Sequence, residues 1–212
     1  MPEPTDDLPT LRAWLSTRPD PAAVRAMGAR FDKIKGKLAA VATARVAFLR
    51  SFTVEPIVPL LRAGAAVNGI DVAAWVGDFN TYQQEVIDPA SRLYAFDPTV
   101  IVFAVNARDI APDLWDRFPE LSADQAEAAV QRVLGGYKAW IEAIRSRSKA
   151  HVIIHGLEVP ETASAGVFDS QDGKGQAGCL RRINAGLTEI ARANSGVYIL
   201  DYDGLIARHG RR

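Results

Sequence analysis

The chain has a single cysteine, Cys179, two methionines and no net charge, with 25 lysines and arginines against 25 aspartates and glutamates in 212 residues. A lone cysteine excludes an internal disulfide and a multi-cysteine metal site. Because it falls on an expected helix, Cys179 reads as a packing residue rather than a nucleophile. The charge balance leaves no basic footprint for nucleic acid. No apolar run approaches the roughly 18 residues that suggest a membrane helix. The first residues, Met1 to Asp7, are acidic and proline-containing, the opposite of a basic region feeding an apolar signal core. A cytoplasmic protein with neither nucleic acid nor membrane as partner is the expectation. Neither an internal repeat nor a low-complexity tract is visible, and an apolar content of 48% suffices for one sizeable core.

What is present is an alternation of short apolar runs and helical patterns. Leu8, Leu11, Trp14 and Leu15 share a helical stripe, and Asp20-Pro21 opens a second helix toward Leu38, so residues 1–43 read as a helical lead-in to a domain over 44–212. Runs then occur at Val46–Leu49, Val72–Val76, Val100–Val105, Val152–Ile154 and Val197–Leu200. Most lack period-two alternation, as expected for strands buried on both faces. Between them, Ser122 and Gln125 form a capping-box signature ahead of a long apolar stripe from Ala126 to Ile144. A second such helix carries Leu180, Ile183, Leu187 and Ile190, with Asn194-Ser195-Gly196 as its stop. Strands alternating with helices imply right-handed crossovers and a doubly wound α/β sheet of about five parallel strands. The stretch from Glu158 to Gly175 is long for a strand-to-helix link and reads as an active-site or partner-binding loop.

In such a sheet ligands gather at the carboxyl ends of the strands, and polar residues cluster where these runs stop. After the first strand, Ser51 and Thr53 either cap the following helix or act as nucleophiles beside its free amides. After the second, Gly77 would admit a close backbone approach, Asp78 could orient a base and Asn80 could donate an amide hydrogen bond, unless the segment is a plain turn. Asn106, Arg108 and Asp109 follow the third strand and suit an acyl or phosphoryl oxygen, with a surface Arg108–Asp109 pair as the alternative. His155 closes the fourth, either as a base or as a structural histidine, whereas His151 and His209 read as surface residues. Asp201 and Asp203 end the fifth and superficially match the opening motif of haloacid dehalogenase-type phosphatases. That motif belongs on an early strand, however, and no third ligand accompanies this pair, so no metal site is expected.

The blocks Ser51-Phe52-Thr53-Val54-Glu55-Pro56, Gly77-Asp78-Phe79-Asn80-Thr81-Tyr82-Gln83-Gln84-Glu85-Val86, Asp88-Pro89-Ala90-Ser91 and Leu93-Tyr94 together resemble the amino-terminal domain of FkbH-like proteins. So do His155-Gly156-Leu157-Glu158-Val159-Pro160, Gly166-Val167, Asn184 and Leu200-Asp201-Tyr202-Asp203. The resemblance covers nearly everything after Arg45. It implies a flavodoxin-like three-layer fold related to SGNH (GDSL-type) hydrolases, normally fused to a carboxy-terminal phosphatase-like domain that this chain lacks. Against the SGNH pattern, Ser51-Phe52-Thr53 stands where glycine-aspartate-serine is expected, which puts Thr53, or Ser51 in a shifted register, at the nucleophile position. Asn106-Ala107-Arg108-Asp109 replaces glycine-any-asparagine-aspartate, and a late aspartate-any-any-histidine pair is absent.

Whole proteins of this type move a glyceryl unit from 1,3-bisphosphoglycerate onto an acyl carrier protein in polyketide biosynthesis, chemistry attributed mainly to the phosphatase-like domain. The resemblance therefore implies a transferase or hydrolase component whose partners are an acyl carrier protein and a phosphorylated three-carbon donor. No cofactor is intrinsic to it; phosphopantetheine of the carrier is the expected ligand, and Mg2+ belongs only to the fused domain. A free-standing esterase or acyltransferase using Thr53 or Ser51 with His155, and a non-catalytic carrier-docking module, are the alternatives.

Overall fold

The computed structural model describes residues 42–171 and 173–210, together with Ala13 alone. Apart from Ala13, the expected lead-in over 1–43 lies outside these residues except for its end, where Ala42 and Thr43 already belong to the first strand. In chain order the elements are β1 (Ala42–Arg50), α1 (Val58–Ala66), β2 (Ile70–Val76), α2 (Tyr82–Ile87), α3 (Arg92–Phe96), β3 (Val100–Ala104), α4 (Ala107–Ile110) and α5 (Pro112–Asp116). They continue with α6 (Ala123–Arg145), β4 (His151–His155), α7 (Gln176–Ala193), β5 (Val197–Leu200) and α8 (Tyr202–His209), with short 3-10 turns at Glu55–Ile57, Phe118–Glu120 and Gly166–Ser170. All five strands pair in parallel in the order β2-β1-β3-β4-β5. This is the doubly wound order whose crevice opens between β1 and β3, where the winding reverses.

Side chains of successive strand residues point to opposite faces, and here both faces are covered. Ala47, Leu49, Ile101 and Phe103 enter the larger core under α6 and α7, whereas Val46, Phe48, Val72 and Ala104 enter the smaller core shared with Leu61 and Ala65 of α1. This double coverage explains the continuous apolar runs, and it gives a three-layer α/β sandwich. Within the larger core Trp140 lies parallel to Phe103 at 5.9 Å and meets Tyr137 edge-on at 5.1 Å.

α6 starts where Ser122 accepts from the amide of Gln125 at 3.2 Å while Gln125 Oε1 accepts from the amide of Ser122 at 2.8 Å, completing the capping box. α7 starts differently. Asp169 is buried, and its carboxylate accepts from the amides of Gln176 at 2.6 Å and Ala177 at 3.1 Å, from across a loop. A Cβ on Gly175 would sit 2.1 Å from the Asp169 carbonyl oxygen, so glycine is required for that approach. Cys179 is buried in the first turns of α7, as a packing residue should be.

Candidate functional site

The carboxyl ends of β1, β3, β4 and β5 converge on one group of side chains. The β1–β3 ladder runs on past Arg50, because the Ser51 amide donates to the Ala104 carbonyl at 2.9 Å. This seats the Ser51 side chain in the crevice, 2% exposed, where its Oγ accepts from the amide of Asn106 at 2.9 Å. The next amide, of Ala107, donates to both carboxylate oxygens of Glu158 at 3.1 Å. Two successive amides at the β3–α4 turn, the stretch whose side chains the sequence offers to an acyl or phosphoryl oxygen, are thus satisfied from within the protein.

Glu158 reaches that turn because β4 stops at His155 and the chain through Gly156 and Leu157 is clamped. The Asn184 side chain of α7 accepts from the Leu157 amide and donates to its carbonyl, each at 2.8 Å. One residue further, the Val159 amide donates to the Asp203 carboxylate at 2.9 Å, tying β4 to α8. Burial holds the Glu158 carboxyl above its ordinary range, Asp109 and Asp203 push it further, and the Ala107 amide pulls against them.

His155 is buried between Tyr202, 3.8 Å away between ring centres, and Phe52 at 5.5 Å. Neither ring nitrogen has a hydrogen-bond partner among the described residues. Desolvation lowers its pKa to about 4, with the Val105 backbone offsetting a little. At neutral pH it is an uncharged ring packed against two tilted aromatic rings, and no hydrogen bond joins it to Ser51 or Thr53. Among the described residues the relay that would activate a hydroxyl is not assembled. Thr53 is exposed on the loop before the 3-10 turn, and neither it nor Ser51 caps that turn, whose N-cap is Val54. Three residues beyond Asp203, where a late histidine would complete the SGNH pattern, stands Ile206.

A cleft of about 320 Å³ opens over this group, walled by Trp115, Val159, Pro160, Tyr202 and Ile206 with Asn106, Glu158 and Glu161 as its polar lining. Its volume is in the range of small-molecule sites, which are mostly apolar with a few placed polar groups. The described residues contain no group of three or more His, Cys, Asp or Glu side chains able to hold a metal ion.

The remaining candidates lie elsewhere or serve local structure. Gly77 is buried, with Phe48 O and Trp75 each 3.2 Å from where a Cβ would stand, so the close approach it permits is to the protein itself. Asp78 is exposed and paired with Arg92. Asn80 is exposed, in the left-handed region at φ 59°, with its amide bonded to the Arg50 carbonyl at 3.0 Å. Arg108 pairs with Asp116 at 3.1 Å, both exposed, rather than with Asp109. Asp201 caps α8 through the Gly204 amide at 3.0 Å. Of the expected residues, Ser51, Asn106, His155 and Asp203 come together; Gly77, Asp78, Asn80 and Arg108 do not join them by any hydrogen bond or ion pair.

Sequence reasoning missed Glu158, Trp115 and Tyr202. Glu158 stands three residues after His155, just beyond the carboxyl end of β4 where ligands gather in such sheets, so its position carried a usable signal. Trp115 carried none, because it arrives through a helix–helix corner held by Gln176, whose side chain donates to the carbonyls of Leu114 and Trp115 at 3.0 and 2.7 Å.

Residues 45–212 match the family described as FkbH, N-terminal domain. The chain belongs to that family. No curated protein matches it. Among solved structures, it is similar to the crystal structure of the N-terminal part of the protein BF1531 from Bacteroides fragilis, described as containing a phosphatase domain complexed with Mg, with a TM-score of 0.70 at 15% identity. The match covers 89% of this chain and 47% of that one, so the FkbH N-terminal domain spans about half of its structural neighbour. At this identity the likeness establishes the three-layer fold.

Proposed function

We propose that this FkbH N-terminal domain takes part in transferring a glyceryl, or related acyl, unit from 1,3-bisphosphoglycerate to an acyl carrier protein in polyketide biosynthesis, and that it does so by binding the carrier's arm rather than by hydrolysis. Family membership over residues 45–212 supports the setting. The observation that carries the binding role is the Ser51 hydroxyl, which is buried and accepts a hydrogen bond from the Asn106 amide, with none from His155. A hydroxyl without a base is a poor nucleophile. Phosphoryl chemistry falls to a phosphatase-like domain of the whole protein, where Mg2+ would serve. The cleft beside Trp115 and Tyr202 supplies the surface for a phosphopantetheine arm, with Asn106 and Glu158 to orient it.

Mass-spectrometric loading of a carrier protein with 1,3-bisphosphoglycerate tests this, comparing the chain alone with a form extended through a phosphatase-like domain. Loading by the extended form alone, retained in Thr53→Ala and Arg108→Ala, supports a binding domain. Turnover of an activated ester by the chain alone, abolished in Thr53→Ala, would replace it with the free-standing esterase. The docking-module reading is favoured by Val167 and Phe168, which stand 79% and 77% exposed on the loop braced by Asp169. It predicts that changes there impair loading while changes in the cleft are silent.

A further inference from the structure

We infer that the cleft selects an uncharged, amide-bearing chain, the pantetheine portion of a carrier arm, and rejects phosphate groups; this rests on the arm-binding reading above and narrows it. The reason is that the seat for an anion is already filled. At the turn following β3, where backbone amides commonly receive a ligand's negative oxygen, Asn106 N–H points to Ser51 Oγ and Ala107 N–H to the Glu158 carboxylate. A phosphate would have to displace a carboxylate and then face Asp109 and Asp203, which already act on Glu158.

Nothing in the described lining compensates. It holds no lysine or arginine, and Arg108, the nearest cation in sequence, is turned to Asp116. What the cleft offers is acceptor oxygen at Glu158, an amide side chain at Asn106 that donates and accepts, and apolar walls at Trp115, Tyr202, Val159 and Ile206. A chain whose polar groups are amides and hydroxyls meets these groups, since its N–H and O–H groups donate to a carboxylate while its methylenes lie along the aromatic walls. The Leu157 clamp by Asn184 fixes the Glu158 backbone, so the carboxylate is held in place before the ligand arrives.

The test is a titration of the full 212-residue chain followed by amide and indole NMR shifts. The probes are pantetheine, pantetheine 4′-phosphate, inorganic phosphate and 3-phosphoglycerate. Pantetheine is expected to move the Trp115 indole and Ala107 amide signals saturably, and the inorganic phosphate and phosphoglycerate probes to leave them still. Glu158→Gln, which keeps an acceptor for the Ala107 amide, is expected to tighten phosphate-bearing probes by about tenfold or more, the size set by one charge removed at contact distance. Trp115→Ala weakens pantetheine by about tenfold without admitting phosphate. Two results overturn the inference: no saturable shift with pantetheine, or inorganic phosphate or phosphoglycerate bound in the wild-type cleft as tightly as pantetheine. Carrier loading fails independently, since its absence would remove the transfer setting while leaving this charge selectivity measurable.

Discussion

Ser51→Ala separates the structural from the nucleophilic role of that hydroxyl. The side chain is 2% exposed, and its Oγ is the acceptor for the Asn106 amide at 2.9 Å. Alanine fills nearly the same volume, so no sizeable cavity forms, and the loss comes from stranding one amide. A typical neutral hydrogen bond contributes about 1 kcal/mol net, and a buried orphan donor costs about 1–3 kcal/mol. Asn106 is only partly buried, which allows some rescue by water, so about 1–2 kcal/mol is expected. With a urea m-value near 2 kcal/mol/M, the midpoint should fall by about 0.5–1 M with the slope unchanged. Carrier loading by the extended protein should persist when measured well below the unfolding transition. An unchanged midpoint together with lost loading would refute the reasoning and return Ser51 to the role of nucleophile.

Other outcomes follow from single side chains. The His155 pKa is depressed from its ordinary value to about 4, so the unfolded chain binds the proton more tightly between those values. Stability is therefore full above about pH 6.5 and falls by about 3 kcal/mol as pH drops toward 4, a slope that His155→Phe should flatten in denaturation series run at each pH. The raised carboxyl of Glu158 works in the opposite direction, and its share is removed by running the same series in Glu158→Gln. The hydroxyl of Tyr137 is fully buried without a hydrogen-bond partner among the described residues, so Tyr137→Phe should leave the melting temperature unchanged or raise it, by an equivalent of up to about 1 kcal/mol. Asp169→Ala strands two amides at the start of α7 and should cost about 2–4 kcal/mol, with faster hydrogen exchange at Gln176 and Ala177.

The sheet and its long helices were legible because their signals are local. Capping at Ser122, the stripe on α6 and the double-sided apolar runs each follow from helical or strand periodicity over a few residues. The strand ends were legible as well, which is how Ser51, Asn106, His155 and Asp203 could be named. Their partners were not. Whether the Ser51 hydroxyl is free to react or is taken up by a backbone amide depends on the register of β1 against β3, which places it under Asn106, 55 residues away. Arg108 reads in the sequence either as an anion clamp or as the partner of Asp109, and the turn into α5 gives it Asp116 instead. Glu158 is an acid on a loop in the sequence, and only the Asn184 clamp and the α4 turn make it the anion that fills the site.

Steady-state carrier loading by the extended protein, with Trp115→Ala and Thr53→Ala compared side by side, tests most directly whether this domain works by binding. If the cleft holds the carrier arm, Trp115→Ala raises KM for the carrier by about tenfold with kcat nearly intact, and Thr53→Ala changes neither. A collapse of kcat in Thr53→Ala with Trp115→Ala silent would contradict it and make the exposed hydroxyl, not the cleft, the seat of function.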